Sequence, residues 1–310
     1  MVQSLSTRAA VRDALDSVAE EATDTVGVFS AWPRLIQTST DVLYRYGEAG
    51  RALLRDHPIL AIARECPAAN HSLARPRGYA GDARLIDYLH RHPSVLDAWE
   101  AATPRGRAIL NWTISLGGAE AVRECHALLA SLIDEAAERA DDAQILAATA
   151  GHLREAGLAL HAGSIARWVA MDEDAETVDE MAETHAALPG LVAVHQGFDR
   201  LLARPLTYGT FDFAYATGLT KALDDEAVRR LTMAMFHSLR RGGRMLFACL
   251  TSNLPEAAYL DAYMGWRPPL RDCGQMRCML DAVPDAPGVR KRIFHGANGR
   301  MLYGFIERAA

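Results

Sequence analysis

The sequence predicts an α/β protein: a doubly wound, Rossmann-like sheet preceded by an all-helical region. Three observations carry that expectation. Residues 5 to 140 hold apolar positions at helical spacing without a convincing period-2 run; from residue 143 short apolar runs alternate with amphipathic stretches; and the chain closes on two β-like runs around Asn298-Gly299. The second is the texture of parallel strands joined by crossover helices, and the third signals a tight antiparallel hairpin.

The helical region is read from its stripes and breaks. Val11, Leu15, Val18, Ala19 and Ala22 fall on one helical face, and Leu35, Ile36, Val42, Leu43, Tyr46, Leu53 and Leu54 continue the pattern. Breaks are expected at Trp32-Pro33, His57-Pro58, Cys66-Pro67, His92-Pro93 and Thr103-Pro104, because proline removes a donor and turns the residue before it away from helix. A long helix over about 119–140 ends at Asp141-Asp142, which sets the expected boundary between a helical lid or substrate domain, 1–140, and a sheet domain, 141–310. In the latter, strands are expected at 144–149, 166–171, 191–195, 211–216 and 244–250, with the hairpin at 289–294 and 301–306. Helices are expected at about 153–161, 175–187, 225–240 and 255–264, the third closed by Arg241-Gly242-Gly243 in the way glycine ends a helix. Five parallel-type strands plus the hairpin give a seven-stranded sheet. The terminal antiparallel pair separates the class I methyltransferase sheet from a plain nicotinamide-binding Rossmann domain.

Composition narrows the function classes. At 310 residues, half of them apolar, the chain can bury a sizeable core without staples. Its net charge of −6 comes with no run of Lys or Arg, so neither nucleic acid nor a membrane is an expected partner. The five cysteines are odd in number and scattered, which suits a reducing compartment. Cys273 and Cys278 form an isolated C-x4-C pair with no His nearby in sequence, and no metal site is expected from it. The first ten residues lack a signal-length apolar core, and no segment approaches the ~20 apolar residues of a membrane span. A cytoplasmic enzyme with a small-molecule substrate is the expectation.

In such sheets ligands lie beyond the carboxyl ends of the strands, so the residues after each expected strand are the candidates. After the first come Ala148, Thr149 and Gly151; after the second, Asp172 and Glu173, where a carboxylate can accept hydrogen bonds from both ribose hydroxyls. Gly197, Phe198 and Asp199 follow the third and offer a backbone gap, an aromatic face and a carboxylate for an adenine. Tyr215, Ala216 and Thr217 end the fourth with small residues against which a ligand can lie. In the helical region Arg75-Pro76-Arg77-Gly78-Tyr79-Ala80-Gly81-Asp82 cannot be a helix face. It reads as a loop whose glycines permit close approach while Arg and Tyr present donors to a carboxylate.

That last segment resembles the R-G-Y-A-G-D lid motif of a bacterial group of class I methyltransferases that includes the extracellular-factor enzymes making 3-hydroxypalmitic acid methyl ester. The likeness extends through Ala148 to Glu155 with Arg154-Glu155, to Phe211-Asp212 through Leu223, to Arg241-Gly242-Gly243-Arg244 and to the stretch from Trp266 to Arg271. It implies S-adenosylmethionine as cofactor, with Arg75, Tyr79 and Asp82 as catalytic candidates and Gly81 beside the methionine end. The chain departs from the group at Thr220-Lys221-Ala222 and at Ala248-Cys249, by the expected acceptor pocket, so ester formation is not carried over. The chain is also similar to azetidine-2-carboxylic acid synthases, in which S-adenosylmethionine is itself the substrate and its amine closes a ring with release of methylthioadenosine. A third expectation is a scaffold that binds the cofactor without turnover.

Overall fold

The computed structural model describes residues 7–218 and 225–310; the departure at Thr220-Lys221-Ala222 lies outside them. Helices run over α1 (Arg8–Glu21), α2 (Thr25–Arg55), α3 (Ile59–Ala63), α4 (Pro67–Ala74), α5 (Ala83–His90), α6 (Leu96–Ala101), α7 (Pro104–Ile114), α8 (Gly117–Arg139), α9 (Ala175–Thr184), α10 (Phe198–Ala203), α11 (Asp225–His237), α12 (Ala257–Met264) and α13 (Cys273–Leu280). The strands are β1 (Gln144–Ala147), β2 (Arg167–Asp172), β3 (Leu191–His195), β4 (Phe211–Thr217), β5 (Leu239–Thr251), β6 (Leu270–Arg271), β7 (Val289–His295) and β8 (Met301–Arg308). Among the described residues no helix is long and apolar enough to cross a membrane. The chain falls into two compact units, Met1–Glu120 with Leu254–Arg267, and Ala121–Asn253 with Pro268–Ala310. The sequence places the boundary at the end of α8; the division falls near that helix's start and returns α12 to the helical unit.

Local chemistry explains the helix starts of the first unit. Asp24 caps α2 by accepting from the Val26 and Gly27 amides at 2.9 and 2.8 Å, and Pro67 and Pro104 open α4 and α7, where the missing proline N–H costs nothing. Trp32-Pro33 is not a break. Pro33 lies within α2, where Val28, Ala31, Trp32 and Leu35 on either side of it are fully buried, and this burial outweighs the local preference. The irregularity falls instead at Gly47, with φ 54° and ψ −128°, a conformation open to glycine. The core of this unit is aromatic: Trp32 Nε1 donates to the Tyr259 hydroxyl at 3.2 Å, and Trp112 meets the Tyr259 ring edge-on at 5.9 Å.

The second unit is one sheet in the order β3-β2-β1-β4-β5-β8-β7, with the two-residue β6 beside the end of β5. All pairings are parallel except those of β8 with β5 and with β7. This is the topology of the class I methyltransferase sheet, and β6 makes an eighth strand beyond the seven expected. The strand direction of travel reverses between β1 and β4, the switch point of the fold. The stretch 153–161 is not an α-helix; Leu153 at φ 53° breaks the chain into short 3-10 turns at Arg154–Gly157 and Ala162–Ser164. Arg241-Gly242-Gly243 does not end a helix but lies inside β5, where the register with β4 slips between Phe211 and Phe213. Gly242 has φ 75°, and a Cβ on Gly243 would come within 3.0 Å of the Phe211 carbonyl oxygen, so the pair forms a bulge that only glycine accommodates.

Candidate functional site

In the sheet unit the turns beyond β1, β2, β3 and β4 are tied together by backbone hydrogen bonds. The Ala148 amide donates to the Tyr215 carbonyl at 2.8 Å, Ala150 to Met171 at 2.9 Å, and Gln196 to Asp172 at 2.9 Å. Three of the four candidate turns therefore share one frame with the β4 end.

Asp172 closes β2. One carboxylate oxygen accepts from the Gly151 amide at 3.0 Å and the other from the Asp174 amide at 3.1 Å. A carboxylate offers about four acceptor positions, so two remain. Burial pushes the Asp172 carboxyl above the usual carboxylate range, against the two amides, which favour the ionised form. Gly151 reaches its position with φ 51°. Of the neighbouring acids, Asp174 rather than Asp172 caps α9, while Glu173 is exposed; partial desolvation and the Asp172 and Asp174 charges raise its carboxyl.

Thr149 clasps the switch point. Its hydroxyl donates to the Thr217 carbonyl and accepts from the Thr217 amide at 2.8 Å, so the side chain is committed to holding β1 and β4 together. Ala148 and Ala216 are buried in the sheet's core cluster; their methyls face the core and only their backbone belongs to the turns. Tyr215, expected with Ala216 and Thr217 beside a ligand, has its side chain in the core. Alternation along β4 turns its ring to the face opposite Ala214 and Ala216, where it is fully buried, stacks on Phe213 at 5.4 Å and donates its hydroxyl to Glu155. Burial raises the Glu155 carboxyl above its ordinary range, opposed by the Tyr215 hydroxyl, and sends the Tyr215 phenol well above its own. Gly197 is the N-cap of α10, with Phe198 its first residue; Phe198 packs partly against the core and Asp199 is exposed.

In the helical unit, residues 75–82 connect α4 to α5. Arg75 ends α4 in the left-handed conformation, φ 51°, and is exposed, as is Tyr79 at 38%. Gly81 has φ 79°, and a Cβ there would lie 2.1 Å from Trp266 Nε1. The left-handed backbone and the indole edge each demand glycine. Asp82 is 2% exposed; it caps α5 by accepting from Leu85 at 2.9 Å and holds His71 Nε2 at 2.8 Å. Burial would raise its carboxyl, but the His71 ring, the Leu85 amide and the Arg77 charge together hold it below the usual range. Gly81 and Asp82 thus shape the loop, while Arg75 and Tyr79 are its outward-facing chemistry.

Sequence reasoning missed His71, the Tyr215 partner of Glu155, and the neighbours of Cys273. Cys273 Sγ lies 3.4 Å from His295 Nε2, so the thiol has the imidazole that its sequence neighbourhood lacks.

No protein-family model matches the chain, and no curated protein matches it in sequence. Its fold is similar along the whole length to that of a possible exported protein from Bordetella parapertussis, with 15% identity, 100% of this chain and 99% of that one covered, and a TM-score of 0.59. Partial similarity is found to the N-methyltransferase NodS from Bradyrhizobium japonicum, with 15% identity over 61% of this chain and 95% of that one at a TM-score of 0.42. A complex of DhpI with SAH covers 72% of this chain and 95% of its own at 14% identity and a TM-score of 0.43.

Proposed function

We propose that the chain is an S-adenosylmethionine-dependent methyltransferase acting on a small molecule in the cytoplasm. The observation that carries the reading is Asp172: a carboxylate at the carboxyl end of β2, the neighbour of the switch-point strand β1, fixed by two backbone amides and keeping acceptor capacity for the paired hydroxyls of a ribose. Glu173 stands next to it for the same sugar. On the adjoining turn Gly197, Phe198 and Asp199 would take the adenine, the ring face against Phe198 and the exocyclic amine toward the Asp199 carboxylate. The backbone of Ala148, Thr149, Gly151, Ala216 and Thr217 would line the methionine part. Arg75 and Tyr79 enter the proposal through their chemistry, donors suited to a carboxylate, and through the resemblance.

S-adenosylmethionine supplies a methyl group activated on a positively charged sulfur. The protein's share is alignment and exclusion of water. The Thr149 clasp and the Asp172 amide contacts serve the first by fixing the turns before a ligand arrives. Asp82 serves by shaping the 75–82 loop, and its buried, ionised carboxylate is already occupied.

A second reading is favoured by the end of β1. Ala147 and Ala148 are both buried there, where methyltransferases commonly carry an acid. An amine at that turn would lack the charge partner that keeps it protonated, and a neutral amine is what intramolecular ring closure to azetidine-2-carboxylic acid requires. Incubating the pure protein with S-adenosylmethionine alone, followed by mass analysis, separates the readings. Methyl transfer gives no turnover until an acceptor is added and then S-adenosylhomocysteine; cyclisation gives methylthioadenosine and a cyclic amino acid without an acceptor. Binding without either product marks a scaffold, and absence of binding overturns all three.

A further inference from the structure

The five cysteines divide into two kinds. Cys66, Cys125 and Cys249 are buried, while Cys273 and Cys278 are exposed. Burial pushes the Cys66 thiol up to about 11 and the Cys249 thiol to about 12, and raises Cys125 further. These three are poor nucleophiles. Cys273 differs from all of them by its setting. It is the first residue of α13, whose N-cap Asp272 closes a reciprocal pair with Gln275, and its sulfur lies 3.4 Å from His295 Nε2 at the end of β7.

The two partners come from different elements, and each element is anchored. Met276, Met279 and Leu280 bury one face of α13 in the sheet's core cluster, with Met276 against the bare backbone of Gly304. The turn after His295 is fixed by the Gly296 amide donating to the Met301 carbonyl at 2.9 Å and by the Ala297 amide donating to Glu124 at 2.8 Å. The fold therefore fixes the two backbone positions that bring the exposed thiol and imidazole together. Within the sheet β5 and β8 separate β7, which carries His295, from β4, three strand spacings of about 14 Å, while Cys273 follows β6 at the end of β5.

We propose that Cys273 and His295 form a reactive thiol site that undergoes exchange with low-molecular-weight disulfides. His295 takes the thiol proton, and the Cys273 thiolate attacks one sulfur of the disulfide. The new sulfur–sulfur bond to Cys273 forms as the old one breaks, and the departing thiolate takes the proton back from the imidazolium. The products are a mixed disulfide on Cys273 and one free small thiol. Asp272, adjacent in the chain, has its carboxylate turned to the Gln275 amide at 2.8 Å.

Oxidised glutathione is the probe. The whole protein is incubated with it near neutral pH, quenched at intervals, and peptide-mapped by mass. Cys273 is expected to take up one glutathione at least about tenfold faster than the exposed Cys278, which serves as the internal standard within the same folded molecule. His295→Asn is expected to remove that advantage while leaving the Cys278 rate unchanged. Equal rates at the two cysteines overturn the proposal, as does a Cys273 rate indifferent to the His295 substitution. A Cys273–Cys278 disulfide in place of the adduct also overturns it. None of these outcomes depends on whether S-adenosylmethionine binds.

Discussion

At the scale of residues, the proposed site rests on a few side chains whose surroundings differ. If Asp172 receives the ribose, Asp172→Ala should weaken S-adenosylmethionine binding by roughly 1.5–3 kcal/mol, the range for hydrogen bonds to a charged group. Calorimetry reads this directly, and an unchanged affinity removes Asp172 from the site. Gly81 tests a different cause. Its φ of 79° and the Trp266 indole 2.1 Å from a would-be Cβ impose two independent penalties on Gly81→Ala, left-handed strain and a clash, together about 2–4 kcal/mol. In a double-mutant cycle with Trp266→Ala the clash should disappear and the strain remain. The two substitutions are therefore expected to couple; additive losses in denaturant melts would mean the indole is not what excludes a side chain at this position.

At the scale of elements, caps and clasps couple the site to stability. Asp82 begins α5 and binds His71, and its folded carboxyl titrates below the ordinary aspartate value. Folding therefore gains from its ionisation at every pH above that ordinary value, and the gain drains away as pH falls through the lower folded value. Asp82→Ala should cost about 1–3 kcal/mol near neutrality. Asp82→Asn, which keeps the cap shape without the charge, should flatten the acid limb of the stability profile, so that variant and parent converge in strong acid; parallel profiles would refute the assignment. The elements also show what was legible beforehand. The strand starting at Leu191 and the Asn298-Gly299 hairpin were readable because period, β-branched content and turn chemistry agree there. Pro33 and Gly242-Gly243 were misleading because tertiary burial carries α2 through the first and sheet pairing captures the second. The position of Asp172 at the end of a strand was readable from the apolar run before it. The Thr149 clasp was not, since its partner lies 68 positions away, nor was Cys273 beside His295, 22 positions apart: such contacts depend on the register of the sheet, which local pattern does not encode.

At the scale of the whole molecule, the chain's two units are not two consecutive halves. The segment Leu254–Arg267 leaves the end of β5, joins the helical unit, and returns at Pro268. Its binding there is extensive. Arg51 of α2 pairs with Asp261 at 2.8 Å and Arg55 donates to the Asp261 carbonyl at 2.7 Å, while Arg267 pairs with the same carboxylate from within the segment at 2.8 Å. Tyr259, Leu260, Tyr263 and Met264 are buried in a helix that packs on α2 and α4. A fragment of residues 121–310 keeps the complete sheet but takes α12 away from α2 and α4. Those four side chains then present on the order of 500 Å² of mostly apolar surface, as much as the largest patches monomers tolerate. The fragment is expected to bind an apolar dye and to associate in gel filtration, whereas the same fragment with 254–267 replaced by a short glycine-serine linker should do neither, because the sheet's own core lies outside that segment. The comparison isolates the excursion itself, since both fragments lack the helical unit equally. Identical behaviour of the two fragments would show that α12 does not owe its burial to the helices of the first unit.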